Sequence, residues 1–189
     1  MSLIKDRIIQ TISNLQNLLA NEAILNSIED VSQLIINAIK SGNKLMICGN
    51  GGSAADAQHV AGEFVCRFYK DRVPLPAIAL TTDTSIITSI SNDYTYGQVF
   101  ARQVMAIGKT GDILLGISTS GSSKNILEAF KVAQEMGIKT ILLTGKEEKD
   151  IARISNIVIK TPSSDTPRIQ EMHLLIEHLI CELVEAKLF

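Results

Sequence analysis

The chain has 189 residues, 46% apolar and 20% charged, which is enough for one globular domain with a substantial buried core. Its 18 Lys and Arg stand against 20 Asp and Glu, so no basic field favours a nucleic-acid backbone and no polybasic run suits a membrane surface. No apolar run is long enough to span a bilayer.

Ile4, Ile8, Ile12, Leu15 and Leu19 recur at helical spacing among Lys5, Asp6, Arg7 and Asn14, an amphipathic helix and not a signal-peptide core. A second helix follows over 22–41, with Gly42 placed as its C-cap, so that residues 1–42 form an N-terminal helix pair. From there apolar strands alternate with helices: strands at 44–49, 77–80, 112–117, 139–143 and 156–160, and helices at 53–68, 85–91, 96–108, 122–136 and 166–187. Cys48, Cys66 and Cys181 lack metal-ligand spacing, and each falls in an apolar element as a buried free thiol would, which points to the reducing cytoplasm. The pattern predicts an α/β fold over residues 43–189, a doubly wound five-stranded parallel sheet with helices on both faces. Ligands of such sheets bind outside the carboxyl ends of the strands.

The unusual residues stand at those ends. Cys48-Gly49-Asn50-Gly51-Gly52-Ser53 passes directly from a strand into a helix, so backbone N–H groups and a helix N-terminus converge on one small space. Ser53 can cap that helix or offer its hydroxyl to a ligand. Ser118-Thr119-Ser120-Gly121-Ser122-Ser123 opens another helix, with hydroxyls beside the N–H groups and no Lys or Arg among them. Two such loops in one sheet predict a cradle for a phosphate monoester.

Rival motifs fit less well. Gly49, Gly51 and Ala54 match a dinucleotide-binding turn, but the acidic ribose anchor due at the end of the second strand is missing, where Thr81-Thr82-Asp83 stands and Asp71 comes too early. Gly145-Lys146 is followed by Glu147 and lacks the upstream glycine of a nucleotide-phosphate loop. No nucleotide cofactor is expected.

With these residues in view, Gly49–Ser53 and Ser118–Ser123 together resemble the sugar isomerase (SIS) domain, over nearly the whole chain. Within that family, the N-terminal helix pair, Gln58-His59-Val-Ala-Gly-Glu63, Asn92-Asp93 and Arg168-Ile-Gln-Glu-Met-His173 with Glu177-His178 resemble the phosphoheptose isomerases. The resemblance implies interconversion of sedoheptulose 7-phosphate and a glycero-manno-heptose 7-phosphate on the way to bacterial surface polysaccharides. It further implies one zinc ion per subunit and a homotetramer with active sites at subunit interfaces. By the same resemblance His59, Glu63, Gln170 and His178 are the zinc ligands, with Glu63 the general base and His178 the acid. Asn50, Gly51, Gly52, Ser53, Glu63, Asn92, Asp93, Ser118, Thr119, Ser120, Ser123 and Gln170 are then the substrate-binding residues. Two other readings keep the loops: a non-catalytic SIS protein that binds the bacterial replication initiator, and an SIS protein acting on another sugar phosphate, such as an arabinose or glucosamine phosphate. The presence of Glu63 and His178 argues against the first, and the ending around Gln170 and His178 against the second.

Aldose–ketose isomerisation needs a base near two adjacent carbons and an acid or electrophile near their oxygens. His59 and Glu63 lie four apart, on one face of the helix that begins at the first loop. Gln170 and His178 are eight apart, roughly 12 Å along a straight helix and about 80° around it, so one metal cannot readily take both from one helix. Either Gln170 lies outside the regular helix or the two come from different subunits, and the second suits an interfacial site. The apolar residues of the last helix cover most of its circumference, which predicts burial nearly all round, with subunit packing as the sink.

Overall fold

The computed structural model describes residues 2–189. Helices α1 (Leu3–Leu19) and α2 (Glu22–Lys40) open the chain, and the Asn21 side chain caps α2 by accepting the Ile24 N–H. Next come β1 (Leu45–Gly49), α3 (Gly52–Val65), β2 (Ala77–Ala79), α4 (Thr84–Asp93), a 3-10 turn at Tyr96–Gln98 and α5 (Val99–Ile107). The chain ends with β3 (Ile113–Ser118), α6 (Lys124–Glu135), β4 (Lys139–Thr144), α7 (Asp150–Ile154), β5 (Ile157–Lys160) and α8 (Thr166–Leu188).

The five strands are parallel in the order β2-β1-β3-β4-β5. Both faces are covered because every other strand residue points to each side. Leu45, Ile47, Ile113, Leu115, Ile117, Ile141 and Leu143 pack under α2, α3 and α8. On the opposite face Met46, Cys48, Leu114 and Leu142 meet residues of α5 and α6, including Phe100, Val104, Ile126 and Phe130. The doubly wound parallel sheet and its helix pair are therefore as the pattern predicts. In this strand order the direction of winding reverses between β1 and β3, the crevice where such sheets bind ligands. Both Ser/Gly-rich loops leave strands that flank that crevice.

Four local readings differ. Helix α3 ends at Val65, short of the expected Phe68, because Arg72 and Glu185 capture the chain just beyond it. Cys66, expected buried, is consequently exposed, whereas Cys48 and Cys181 are buried. The five-residue α7 was not expected, being too short to show a period. Within this single chain α8 is not enclosed all round: Leu174 and Leu175 are each 38% exposed.

Candidate functional site

The first loop starts where Asn50 leaves β1. Gly51 has φ 58° and ψ −122°, a conformation that admits only glycine, and it turns the chain straight into α3. The second loop repeats the device with Gly121 at φ 65° before α6. Neither cap residue, Gly51 or Ser123, supplies a side-chain acceptor; Ser53, Ala54 and Ile126 donate their N–H groups to the Asn50, Gly51 and Ser123 carbonyls, which leaves the Gly52, Lys124 and Asn125 N–H groups of the two helix starts for an anion.

Side chains lock the loops together. Asn50 and Asn125 exchange two amide hydrogen bonds of 2.9 and 2.8 Å, and the Tyr96 hydroxyl donates to Asn50 Oδ1 at 2.9 Å. Ser118 Oγ lies 3.0 Å from Ser123 Oγ and accepts the Gly121 N–H, while Ser120 Oγ accepts from the Ser122 N–H and hydroxyl. Beside Asn50 and Gly51 a cavity of about 180 Å³ is walled by Thr81, Tyr96 and Phe100.

Helices α3 and α8 pack side by side, and their polar residues pair in order along the two axes. At the start, Gln170 Nε2 donates to Asp56 Oδ2 at 3.2 Å and lies so close to Gly52 that a Cβ there would collide with it. Two turns on, His178 Nε2 lies 2.8 Å from His59 Nε2, and His59 Nε2 lies 3.6 Å from Glu63 Oε1. The Phe68 ring leans on His178 with centroids 5.7 Å apart. Between these levels Glu177 is buried with neither carboxylate oxygen partnered among the described residues. Burial, and then the nearby Asp56 charge, push its pKa up to about 8. Burial also raises Asp56, against the opposing pull of its Gln170 hydrogen bond and of His59. His173 is fully buried, and burial lowers its pKa to about 4 despite the neighbouring Thr144 carbonyl, so it stays neutral. At the far end Glu185 pairs with Arg72 at 2.9 Å. Burial works against its charge, but the Lys70, Phe68 and Tyr69 N–H groups and the Arg72 guanidinium hold its carboxyl down at about 2.

Comparison with known proteins bears directly on this arrangement. Residues 9–145 match the SIS domain family. A phosphoheptose isomerase of Aneurinibacillus thermoaerophilus is 52% identical over 98% of this chain and 94% of its own. Among solved structures, phosphoheptose isomerases from Neisseria gonorrhoeae (TM-score 0.91, 38% identity, 97% of each chain) and Francisella tularensis (TM-score 0.93, 36% identity, 97% and 96%) superpose on nearly the whole fold. The chain belongs to the phosphoheptose isomerases of the SIS domain family. It is thus an aldose–ketose isomerase acting on a heptose phosphate, and the non-catalytic reading is not favoured.

For a phosphoheptose isomerase the fold brings the sequence-derived residues into three groups. Asn50, Gly51, Gly52, Ser53, Ser118, Thr119, Ser120 and Ser123 gather at the crevice between β1 and β3. His59, Glu63 and His178 meet on the α3–α8 seam. Gln170 lies within regular α8, so the geometry that would free it from the helix does not occur, and in its own chain it reaches Asp56 and not the histidine pair. Asn92 and Asp93 are exposed on the last turn of α4 and hydrogen-bonded to each other at 2.8 Å.

Two imidazole nitrogens and a carboxylate oxygen are donors of the kind that zinc takes. The observed 2.8 Å between the nitrogens is closer than the roughly 3.3 Å expected across a tetrahedral ion, and among the described residues no three His, Cys, Asp or Glu stand ready to enclose a metal. The donor types fit zinc, but the set needs slight opening and a further donor. Sequence reasoning missed Asp56, Tyr96, Asn125 and the Arg72–Glu185 pair; only Asp56, one turn before His59 on the same face of α3, carried a signal in its spacing.

Proposed function

We infer that this phosphoheptose isomerase converts sedoheptulose 7-phosphate to D-glycero-D-manno-heptose 7-phosphate, with the phosphate on the two loops and the reacting carbons at the His59–Glu63–His178 cluster. The observation that carries this reading is the 2.8 Å approach of His178 to His59, one turn from Glu63, on the helix whose N-terminus forms the first loop. A heptose phosphate carries its phosphate and its reacting carbons at opposite ends, as α3 carries the cradle and the cluster.

In the proposed reaction the Glu63 carboxylate takes a proton from C1 while His178 gives one to the C2 carbonyl oxygen, forming an enediol. His178 then takes the proton from the C1 hydroxyl and Glu63 returns its proton to C2, leaving an aldehyde at C1 and no net change in protons. Asn92 and Asp93 are assigned to sugar hydroxyls, and Gln170, at the edge of the first loop, to the substrate. His59, Glu63 and His178, joined by Gln170 of a neighbouring subunit, would hold zinc. Holding it there, these residues would place a Lewis acid beside the sugar oxygens.

The assembly is assigned as a homotetramer in which each chain is a single SIS domain. Exposed Leu3, Ile4, Ile8, Ile9 and Ile12 on α1, with Leu174 and Leu175 on α8, support burial between subunits. The enzyme is assigned to the cytoplasm, at the first step toward the ADP- or GDP-heptoses of lipopolysaccharide or capsule.

Incubating the purified protein with sedoheptulose 7-phosphate, with and without a chelator, tests the reading. Aldose should form, and chelation should stop it until zinc is restored. Glu63→Gln and His178→Gln should each lower kcat by roughly 10²–10⁴ while phosphate binding persists. Retained turnover in either variant would remove that residue from its role.

A further inference from the structure

Helix α3 ends two residues after Glu63, and the last carbonyls of a helix have no partner within it. Here a single side chain takes two of them. Arg72 donates through Nη2 to the Glu63 carbonyl at 2.8 Å and through Nη1 to the Phe64 carbonyl at 2.8 Å. Its Nε donates to Glu185 Oε1 at 2.9 Å, across 113 residues of sequence. Glu185 in turn accepts the N–H groups of Phe68, Tyr69 and Lys70 at 3.0, 2.7 and 2.9 Å. Both side chains are 2% exposed.

A buried ion pair is seldom better for stability than two apolar residues of similar volume, because both charges must leave water. What the pair accomplishes is geometric. Glu185 lies seven residues after His178, nearly two turns on and on almost the same face of α8. Arg72 fixes the backbone of Glu63 itself, and the segment tied down by Glu185 carries Phe68, whose ring rests on His178. The pair therefore pins the end of α3 to α8 directly beside the cluster.

We propose that Arg72 and Glu185 are positioning residues that hold Glu63 and His178 in register across the α3–α8 seam, through the Glu63 carbonyl and the Phe68 segment. The proposal rests on the roles assigned above to Glu63 and His178. It distinguishes two regions of the site: the phosphate cradle lies at the other end of α3 and does not depend on the clamp.

Two variants test it. Arg72→Lys keeps the charge but lacks the fork that reaches both carbonyls and the carboxylate. Arg72→Met combined with Glu185→Leu removes both charges together, so neither is left buried alone; because it also frees the N–H groups and carbonyls that the pair holds, its fold is confirmed by circular dichroism before the kinetics are read. In each, kcat should fall about 10- to 100-fold, the usual range for residues that orient a metal site, and zinc affinity of the folded protein by a similar factor. KM and the affinity for inorganic phosphate should change less than about 3-fold, since the cradle is untouched. Restoring Arg72 and Glu185 should restore kcat. If the double variant folds and keeps wild-type kcat and zinc affinity, whatever its Tm, the pair is only a structural tie and the proposal fails. If wild-type protein takes up no zinc, or Glu63→Gln remains active, the assignment of the cluster fails first, and the positioning role with it.

Discussion

Replacing Glu177 by Gln should stabilise the protein at neutral pH and leave it unchanged near pH 4.5. Glu177 is 1% exposed, neither oxygen has a partner among the described residues, and its pKa rises from 4.5 to about 8. In the unfolded chain the group ionises near its ordinary value, so between pH 4.5 and 8 the folded state holds a proton that the unfolded state has lost. The folded state thus binds more protons in that window, and stability declines as pH rises through it. At about 1.4 kcal/mol per pH unit, the penalty at pH 7 is about 3 kcal/mol. Gln keeps the size and lacks the titration, so it removes this penalty. For a chain of this length that gain corresponds to a Tm higher by about 6–12 °C at pH 7. Thermal unfolding of both proteins at pH 5, 6, 7 and 8 measures it, and the two Tm curves should diverge as pH increases. Parallel curves would refute the reasoning, because they would mean that Glu177 ionises in the fold as freely as outside it.

Gly52→Ala should lower kcat/KM by at least about 10-fold with little change in Tm, because its Cβ would displace Gln170 Nε2 from Asp56 and disturb the first loop; steady-state kinetics beside a melting curve would separate the two effects. Asn125→Ala, by removing both amide partners of Asn50, should cost about 1–3 kcal/mol and raise KM, as read by urea unfolding and initial rates. Glu185, held down at about 2, contributes stability that is present above pH 4.5 and lost as pH falls toward 2, so Glu185→Gln should flatten the acid limb of an unfolding profile between those values.

Much of this fold is legible in the sequence because β1, β3 and the middle of β4 are short apolar runs bounded by turn residues, as strands buried on both faces are. The cradle is equally legible, since Gly51 and the serines announce strand-to-helix turns through local chemistry. Local reasoning also pairs His59 with Glu63 by helical spacing. It cannot bring His178 to them across 119 residues, nor see that Gln170 reaches Asp56 within its own chain, because those contacts depend on how α8 packs against α3. The early end of α3 was hidden for the same reason. Nothing within 53–68 halts a helix there; Arg72 and Glu185, from elsewhere in the chain, do so.

The proposed site joins one subunit's His59, Glu63 and His178 to Gln170 from another. Mixing two inactive proteins, Gln170→Ala and His178→Ala, with dissociation and reassembly, tests this sharing. In a mixed assembly the Gln170→Ala subunit keeps its histidine and receives Gln170 from its His178→Ala neighbour, so isomerase activity should return to about a quarter of wild type at equal mixing. Reassembled mixtures that stay as inactive as either parent would contradict the shared site.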